Sequence, residues 1–140
     1  MISVGGKLDG AVVVVTGASS GIGRATGLAF AERGARVVVA ARRAGALEEL
    51  ARQCQAAGGQ ALAVPTDMTD EAAVTELARR AVERFGRLDV WVNNAGVYLL
   101  GLLEATPPEA FRRVLETNFF GYVHGARAVL PHFRDQGTAC

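Results

Sequence analysis

Lysine is almost missing from this chain: Lys7, ahead of the first regular pattern, is the only one among 15 basic residues. Charge imbalance is missing too. The 15 Lys and Arg face 14 Asp and Glu, for a formal net charge of +1. Basic and acidic residues number 7 and 6 up to residue 70, then 8 and 8, so no basic arm or acidic tail supports nucleic-acid or membrane-surface binding. Long hydrophobic runs are absent. The charge-free stretches Ala11 to Gly23 and Val90 to Leu103 are interrupted by Gly, Thr, Ser or Asn, and neither offers the roughly 20 apolar residues a membrane span needs. No apolar stretch follows directly on Lys7, which argues against a secretory signal and for a cytoplasmic protein. Cysteine is scarce, with Cys54 in a helical pattern and Cys140 at the last position. Two such thiols make neither a disulfide framework nor a metal site. His124 and His132 lie eight residues apart without a carboxylate or thiol at ligand spacing, so no metal is expected.

What is present is apolar and rhythmic. An apolar fraction of 50% with 21% charged residues over 140 positions suits a single globular domain. Short glycine-marked turns separate apolar runs from helical patterns in strict alternation. Ala11 to Val15 reads as a parallel strand buried on both faces. A helix follows from about Ile22 to Arg33, closed by Gly34, and Arg36 to Ala41 is the second strand. Leu47, Leu50, Ala51 and Cys54 set a second helix over 44–57, and Gln60 to Val64 is the third strand. Thr69 or Asp70 caps a third helix with a buried stripe from Val74 to Phe85, and Leu88 to Val92 is the fourth strand. Thr106-Pro107-Pro108-Glu109 reads as a capping box that starts one long fourth helix, kinked by Pro131 and running to Gly137. The expected fold is a Rossmann-like, doubly wound parallel sheet of order 3-2-1-4 with helices on both faces. Ligands of such sheets sit beyond the carboxyl ends of the strands, here Thr16 to Gly23, Ala41 to Arg43, Thr66-Asp67 and Asn93 to Gly96.

Thr16-Gly17-Ala18-Ser19-Ser20-Gly21-Ile22-Gly23 connects a buried strand to a helix N-terminus, where free backbone N–H groups and the positive helix end meet a pyrophosphate. An ordinary tight turn is the plainer reading of the same glycines. The second strand ends Ala41-Arg42-Arg43, with no carboxylate to receive the ribose 2′-hydroxyl of NAD and with two guanidinium groups suited to the 2′-phosphate of NADP. NADP(H) is therefore expected over NAD(H), unless Arg42 and Arg43 are merely solvated loop charges. Asn93 and Asn94 emerge from an apolar strand and must find hydrogen-bond partners.

The spacing Gly-x-x-x-Gly-x-Gly, Asn93-Asn94-Ala95-Gly96 after the fourth strand, Asp67 after the third, and Thr117-Asn118 followed by Phe119-Phe120-Gly121 together resemble the short-chain dehydrogenase/reductase family, from about Leu8 to Gly137. The resemblance implies a dinucleotide held by Thr16, Gly17, Ser19, Ser20, Gly21, Ile22, Gly23, Arg42 and Arg43. It adds Asp67, whose plainer reading is a cap of the following helix, with Met68 at the adenine, and Asn94, Ala95 and Gly96 lining the cleft. It also implies a proton-relay role for Asn118, whose plainer reading is a satisfied mid-helix amide. The family's acid is a tyrosine with a lysine four residues on, aided by a serine. Four residues beyond Tyr98 and Tyr122 stand Leu102 and Ala126, and serine occurs only at 3, 19 and 20. The resemblance thus implies a chain that ends before the catalytic serine, tyrosine and lysine. Two functional classes stay open: part of an NADP-dependent oxidoreductase acting on a small alcohol or ketone, with 97–105 nearest that substrate, or a non-catalytic dinucleotide-binding module. Self-association, or pairing with a full-length relative, is the expected protein partnership.

Overall fold

The computed structural model describes residues 8–137. Its centre is β1 (Val12–Thr16), five residues without solvent exposure. Successive side chains of a strand point to opposite faces, and the valines divide accordingly. Val12 and Val14 join one apolar cluster with Val74, Leu77, Ala81 and Val129, whereas Val13 and Val15 join a second with Leu47, Leu50 and Cys54. A strand covered on both sides has no polar face to spare, which is why valine follows valine. Each such side chain contributes about 1.5–3 kcal/mol by its removal from water.

Parallel pairing extends the sheet from β1 to β2 (Arg36–Ala41), from β2 to β3 (Gln60–Pro65), and on the other side from β1 to β4 (Val90–Val92). The order is β3-β2-β1-β4, the 3-2-1-4 expected of a doubly wound sheet, with Val13 beside Val37 and Val90. Helices α1 (Gly21–Ala31) and α2 (Ala44–Ala56) cover one face, and α3 (Glu71–Phe85) covers the other. Asp70 caps α3 by accepting a hydrogen bond from the Ala73 N–H, and Gly86 closes it at φ 80°.

Three expectations for the second half need correction. Strand β4 is three residues long, and the two residues before it are tied in mainly by side chains, although the Asp89 N–H still reaches Val12 O of β1 at 2.9 Å. Leu88 exchanges two hydrogen bonds with the Gln136 amide, and the Asp89 carboxylate accepts from the Val12 N–H at 2.9 Å. The Thr106 capping box does not form: Thr106 Oγ donates back to Leu102 O at 2.7 Å, and Pro107 is the N-cap. The long fourth helix runs without interruption but is not α-helical throughout: α4 (Pro108–Leu115) passes through a π-helical turn (Glu116–Phe120) into α5 (Gly121–Asp135), with Pro131 inside α5. Among the described residues no helix is long and apolar enough to cross a membrane.

Candidate dinucleotide site

Thr16 ends β1 and is completely buried, so its hydroxyl must be satisfied internally. It donates to Val92 O at 3.1 Å and accepts from the N–H groups of Asn94 at 3.0 Å and Ala95 at 3.1 Å. The Asn94 side chain returns the tie, donating to Thr16 O at 3.0 Å and Gly17 O at 3.3 Å. Ala18 N–H reaches Ala40 O at 3.1 Å, so the glycine-rich turn rests on the ends of β1, β2 and β4 together.

That closeness sets the residue types. A Cβ on Gly17 would lie 2.6 Å from Ala95 Cα, and one on Gly23 would lie 2.4 Å from both Asn94 Nδ2 and Gly17 O. Gly21 differs: its φ is 53°, yet a Cβ there would meet nothing within 4 Å. Gly21, Ile22 and Ser20 are exposed at the start of α1. The Ser20 side chain makes no cap hydrogen bond, and no acid occupies the first turn. Arg24 N–H is the first to bond back, to Ser20 O at 3.2 Å. The N–H groups before it precede the helical ladder and form, with the helix dipole, an anion-binding end.

Arg43 leans over this turn from the end of β2, with Nη2 3.2 Å from Ser19 Oγ and 3.4 Å from Ser19 O. Arg42 is exposed beside it. Past β3, Asp67 accepts hydrogen bonds from Thr69 N–H at 3.0 Å and Thr69 Oγ at 2.8 Å. These bonds hold its carboxyl below the ordinary value, and the charge of Arg42 adds in the same direction. Met68 is a core side chain, 5% exposed, so what it offers a ligand is main chain.

Asn118 sits in the π-helical turn and grips the other end of the edge. Its Oδ1 accepts from Val97 N–H at 2.8 Å, and its Nδ2 donates to Val97 O at 2.6 Å. Gly96 lies alongside, with room for a Cβ only at 3.4 Å from Asn118 Oδ1. Asn93 accepts from Trp91 Nε1 at 2.9 Å and donates to Tyr122 O at 3.3 Å, joining β4 to α5. The residues picked out in the sequence thus divide into a glycine-turn group, an Arg42–Arg43–Asp67 group and a β4-end group held by Thr16, Asn94 and Asn118.

Two positioning contacts escaped the sequence reading. His124 Nδ1 donates to Met68 O at 2.9 Å, fixing α5 to the loop after β3, and Gln136 clamps Leu88. Neither has a signal in spacing, since both are side chain to main chain bonds across 48 residues or more.

The family model for short chain dehydrogenase matches residues 11–139. The chain is 44% identical over 132 residues to the uncharacterized oxidoreductase YxnA of Bacillus subtilis, covering 94% of this chain and 37% of that one. A crystal structure of a short chain dehydrogenase/reductase from Burkholderia phymatum in complex with NAD is 36% identical, with a TM-score of 0.91 over 96% of this chain and 48% of that one. The 3-ketoacyl-(acyl-carrier-protein) reductase of Brucella melitensis, complexed with NADH, is also 36% identical, with a TM-score of 0.87 over 95% and 55% of the two chains. The chain therefore spans about half the length of the structures it matches, and less of YxnA.

Proposed function

We propose a function from one premise: the chain belongs to the short chain dehydrogenase family. It is a member of an oxidoreductase family, and we infer that the carboxyl edge of its sheet binds NADP(H) as one unit. The pyrophosphate would lie on the exposed start of α1, over Ser20, Gly21 and Ile22, where backbone N–H groups are unspent and no side chain intrudes. Asp67 and the main chain of Met68 would meet the adenine. Asn94, Ala95 and Gly96 would line the nicotinamide side, with Asn118 positioning Val97 next to them. The bound nicotinamide supplies or receives the hydride; this chain's residues bind and orient it.

The similar structures named above hold NAD and NADH, so the preference for the phosphorylated form is argued from this chain alone. The observation that carries it is Arg43 Nη2, 3.2 Å from Ser19 Oγ. A guanidinium and a hydroxyl so placed beside the glycine turn, with no carboxylate ending β2, form a phosphate site and leave a ribose 2′-hydroxyl without an acid. The substrate class is an alcohol or ketone. Within the 140 residues no tyrosine has a lysine four positions on, so the second reading is that this chain binds the dinucleotide without turning it over.

Fluorescence titration of the 140-residue chain with NADPH and NADH, followed by a turnover assay over mixed ketones, tests both readings. The expected result is saturable binding at least tenfold tighter for NADPH, without turnover. Equal or tighter NADH binding would overturn the preference, turnover would overturn the second reading, and no binding of either would overturn the site.

A further inference from the structure

We propose that His124 is a positioning residue for adenine recognition: by holding the Met68 carbonyl it orients the peptide group that sets the Asp67 carboxylate, and with it the preference for an amino group as that carboxylate's partner. The inference rests on the dinucleotide reading above and adds to it a residue of α5 that acts on the site through the loop after β3.

That loop is built around one peptide group. Met68 O and Thr69 N–H both belong to it, and because the group is planar and trans they point in opposite directions. On one side His124 Nδ1 donates to Met68 O at 2.9 Å. A carbonyl only accepts, so Nδ1 is the ring nitrogen that carries the proton. On the other side Thr69 N–H donates to Asp67 Oδ1 at 3.0 Å. Imidazole, peptide and carboxylate thus form one chain of hydrogen bonds in which each bond polarises the next.

Helix α5 is shaped to reach this peptide. A Cβ on Gly121 would lie 3.2 Å from Met68 Cβ and 3.4 Å from Met68 O, so the bare glycine lets the helix backbone close on Met68. His124 follows at i+3, on the same face of the helix, and brings the donor. Without the imidazole Met68 O loses its partner, and the peptide is free to turn and carry Thr69 N–H off the carboxylate.

The consequence falls on one atom. Both hydrogen bonds that Asp67 accepts, from Thr69 N–H and Thr69 Oγ, end on Oδ1. Among the described residues Oδ2 accepts none, and Asp67 is exposed, so Oδ2 is the atom left to a ligand. The Thr69 N–H is also the largest influence holding this carboxyl below its ordinary value. An ionised carboxylate accepts and does not donate, so an amino group placed at Oδ2 is bound and a carbonyl oxygen placed there is repelled.

The test compares NADPH with its hypoxanthine analogue, in which a carbonyl replaces the adenine amino group, by fluorescence titration of the full chain. Both affinities are read on one sample, so their ratio does not depend on the fraction folded, and a loss of stability alone leaves it unmoved. The parent should bind NADPH at least about tenfold more tightly than the analogue, as one hydrogen bond to a charged group allows. His124→Leu keeps the bulk and loses the donor, and should bring the ratio down to about threefold or less. In His124→Asn the amide nitrogen is bonded to Cγ as Nδ1 is in histidine, and this variant should restore the ratio to within about twofold of the parent. His124→Ala, which adds no atoms, gives the same reading should circular dichroism show that His124→Leu does not fold. An unchanged ratio without the donor, or an asparagine variant no better than the leucine one, would overturn the proposal. So would a parent that binds both dinucleotides equally, a result that leaves the pyrophosphate site standing. No NADPH binding by the parent would overturn the dinucleotide reading and this proposal together.

Discussion

Two glycines of the turn, two residues apart, should fail in different ways when each is replaced by alanine. At Gly23 the added methyl would sit 2.4 Å from Gly17 O and 2.4 Å from Asn94 Nδ2. Neither atom is free to move, because the Asn94 amide is bonded to Thr16 O and Gly17 O. Overpacking costs about 1–3 kcal/mol, and a buried amide pushed off its acceptors costs about 1–3 kcal/mol more. Gly23→Ala should therefore lose roughly 2–6 kcal/mol of stability. At Gly21 the methyl meets nothing, and the penalty is the left-handed φ of 53° alone, about 1–2 kcal/mol. For a chain of this size a kilocalorie moves Tm by about 3–5 °C. Gly21→Ala should melt roughly 3–10 °C below the parent and Gly23→Ala roughly 6–30 °C below it. The order reverses for the ligand: the Gly21 methyl occupies the open approach to the α1 N–H groups, so NADPH affinity should fall more than tenfold at modest cost in stability. Thermal melts and NADPH titrations on both variants decide the matter. A Gly23→Ala protein that melts with Gly21→Ala, or a Gly21→Ala protein that binds NADPH like the parent, would refute the reasoning.

Arg43→Glu should abolish the preference for NADPH over NADH, because a carboxylate beside Ser19 repels the 2′-phosphate; an unchanged affinity ratio in parallel titrations would remove Arg43 from the site. NADPH affinity of the parent should weaken as pH falls through about 6, where a phosphate monoester takes up its second proton, whereas NADH affinity should not. The Asp67 carboxyl is held below its ordinary value by Thr69 and then by Arg42. Its stabilising contribution is thus complete above the unfolded value of about 3.9 and is lost as pH falls through the lower folded value. Asp67→Ala should accordingly be less stable than the parent at pH 7 in urea melts, by a small margin because the group is exposed, and the difference should vanish in strong acid. Asn118→Ala removes both hydrogen bonds to Val97 and should cost about 1–3 kcal/mol, read as a lower urea midpoint. Burial raises the pKa of the fully buried Cys54 thiol, so in a Cys140→Ser background it should react with a disulfide reagent only after unfolding.

The first half of the chain was legible because its signals are local. Consecutive valines announce a strand covered on both faces, and Gly34 and Gly86 stand at φ 80° where the helical patterns stop. The glycine turn was legible as a turn, but the reason Gly23 tolerates no side chain was not, since it lies in Asn94, 71 residues away. The second half misled for a physical reason. The apolar pattern of Phe111, Val114, Leu115, Phe119 and Phe120 runs on without glycine or proline until Gly121, so nothing in composition breaks the helix. The helix stays continuous, but it takes a π-helical turn at Glu116–Phe120, the kind of one-residue insertion that marks functional segments, and Asn118 within it is bonded to a distant loop.

Three carboxamides explain how a three-residue strand can hold the site. An amide side chain has two N–H donors and a carbonyl acceptor, and so can present one of each to a main-chain residue, as a neighbouring strand does. Gln136 presents both to Leu88 just before β4, and Asn118 presents both to Val97 just after it. Asn94 adds two donor bonds to the main chain of Thr16 and Gly17. Among the described residues strand β4 pairs with β1 alone, and Gln136 and Asn118 hold the main chain before and after it. Gln136 follows α5 directly and Asn118 lies just before it, so the position of that helix and the direction of the chain leaving the cofactor edge are set together. A displacement of α5 would move Val97 with it, while Thr16 and the glycine turn stayed anchored to β1.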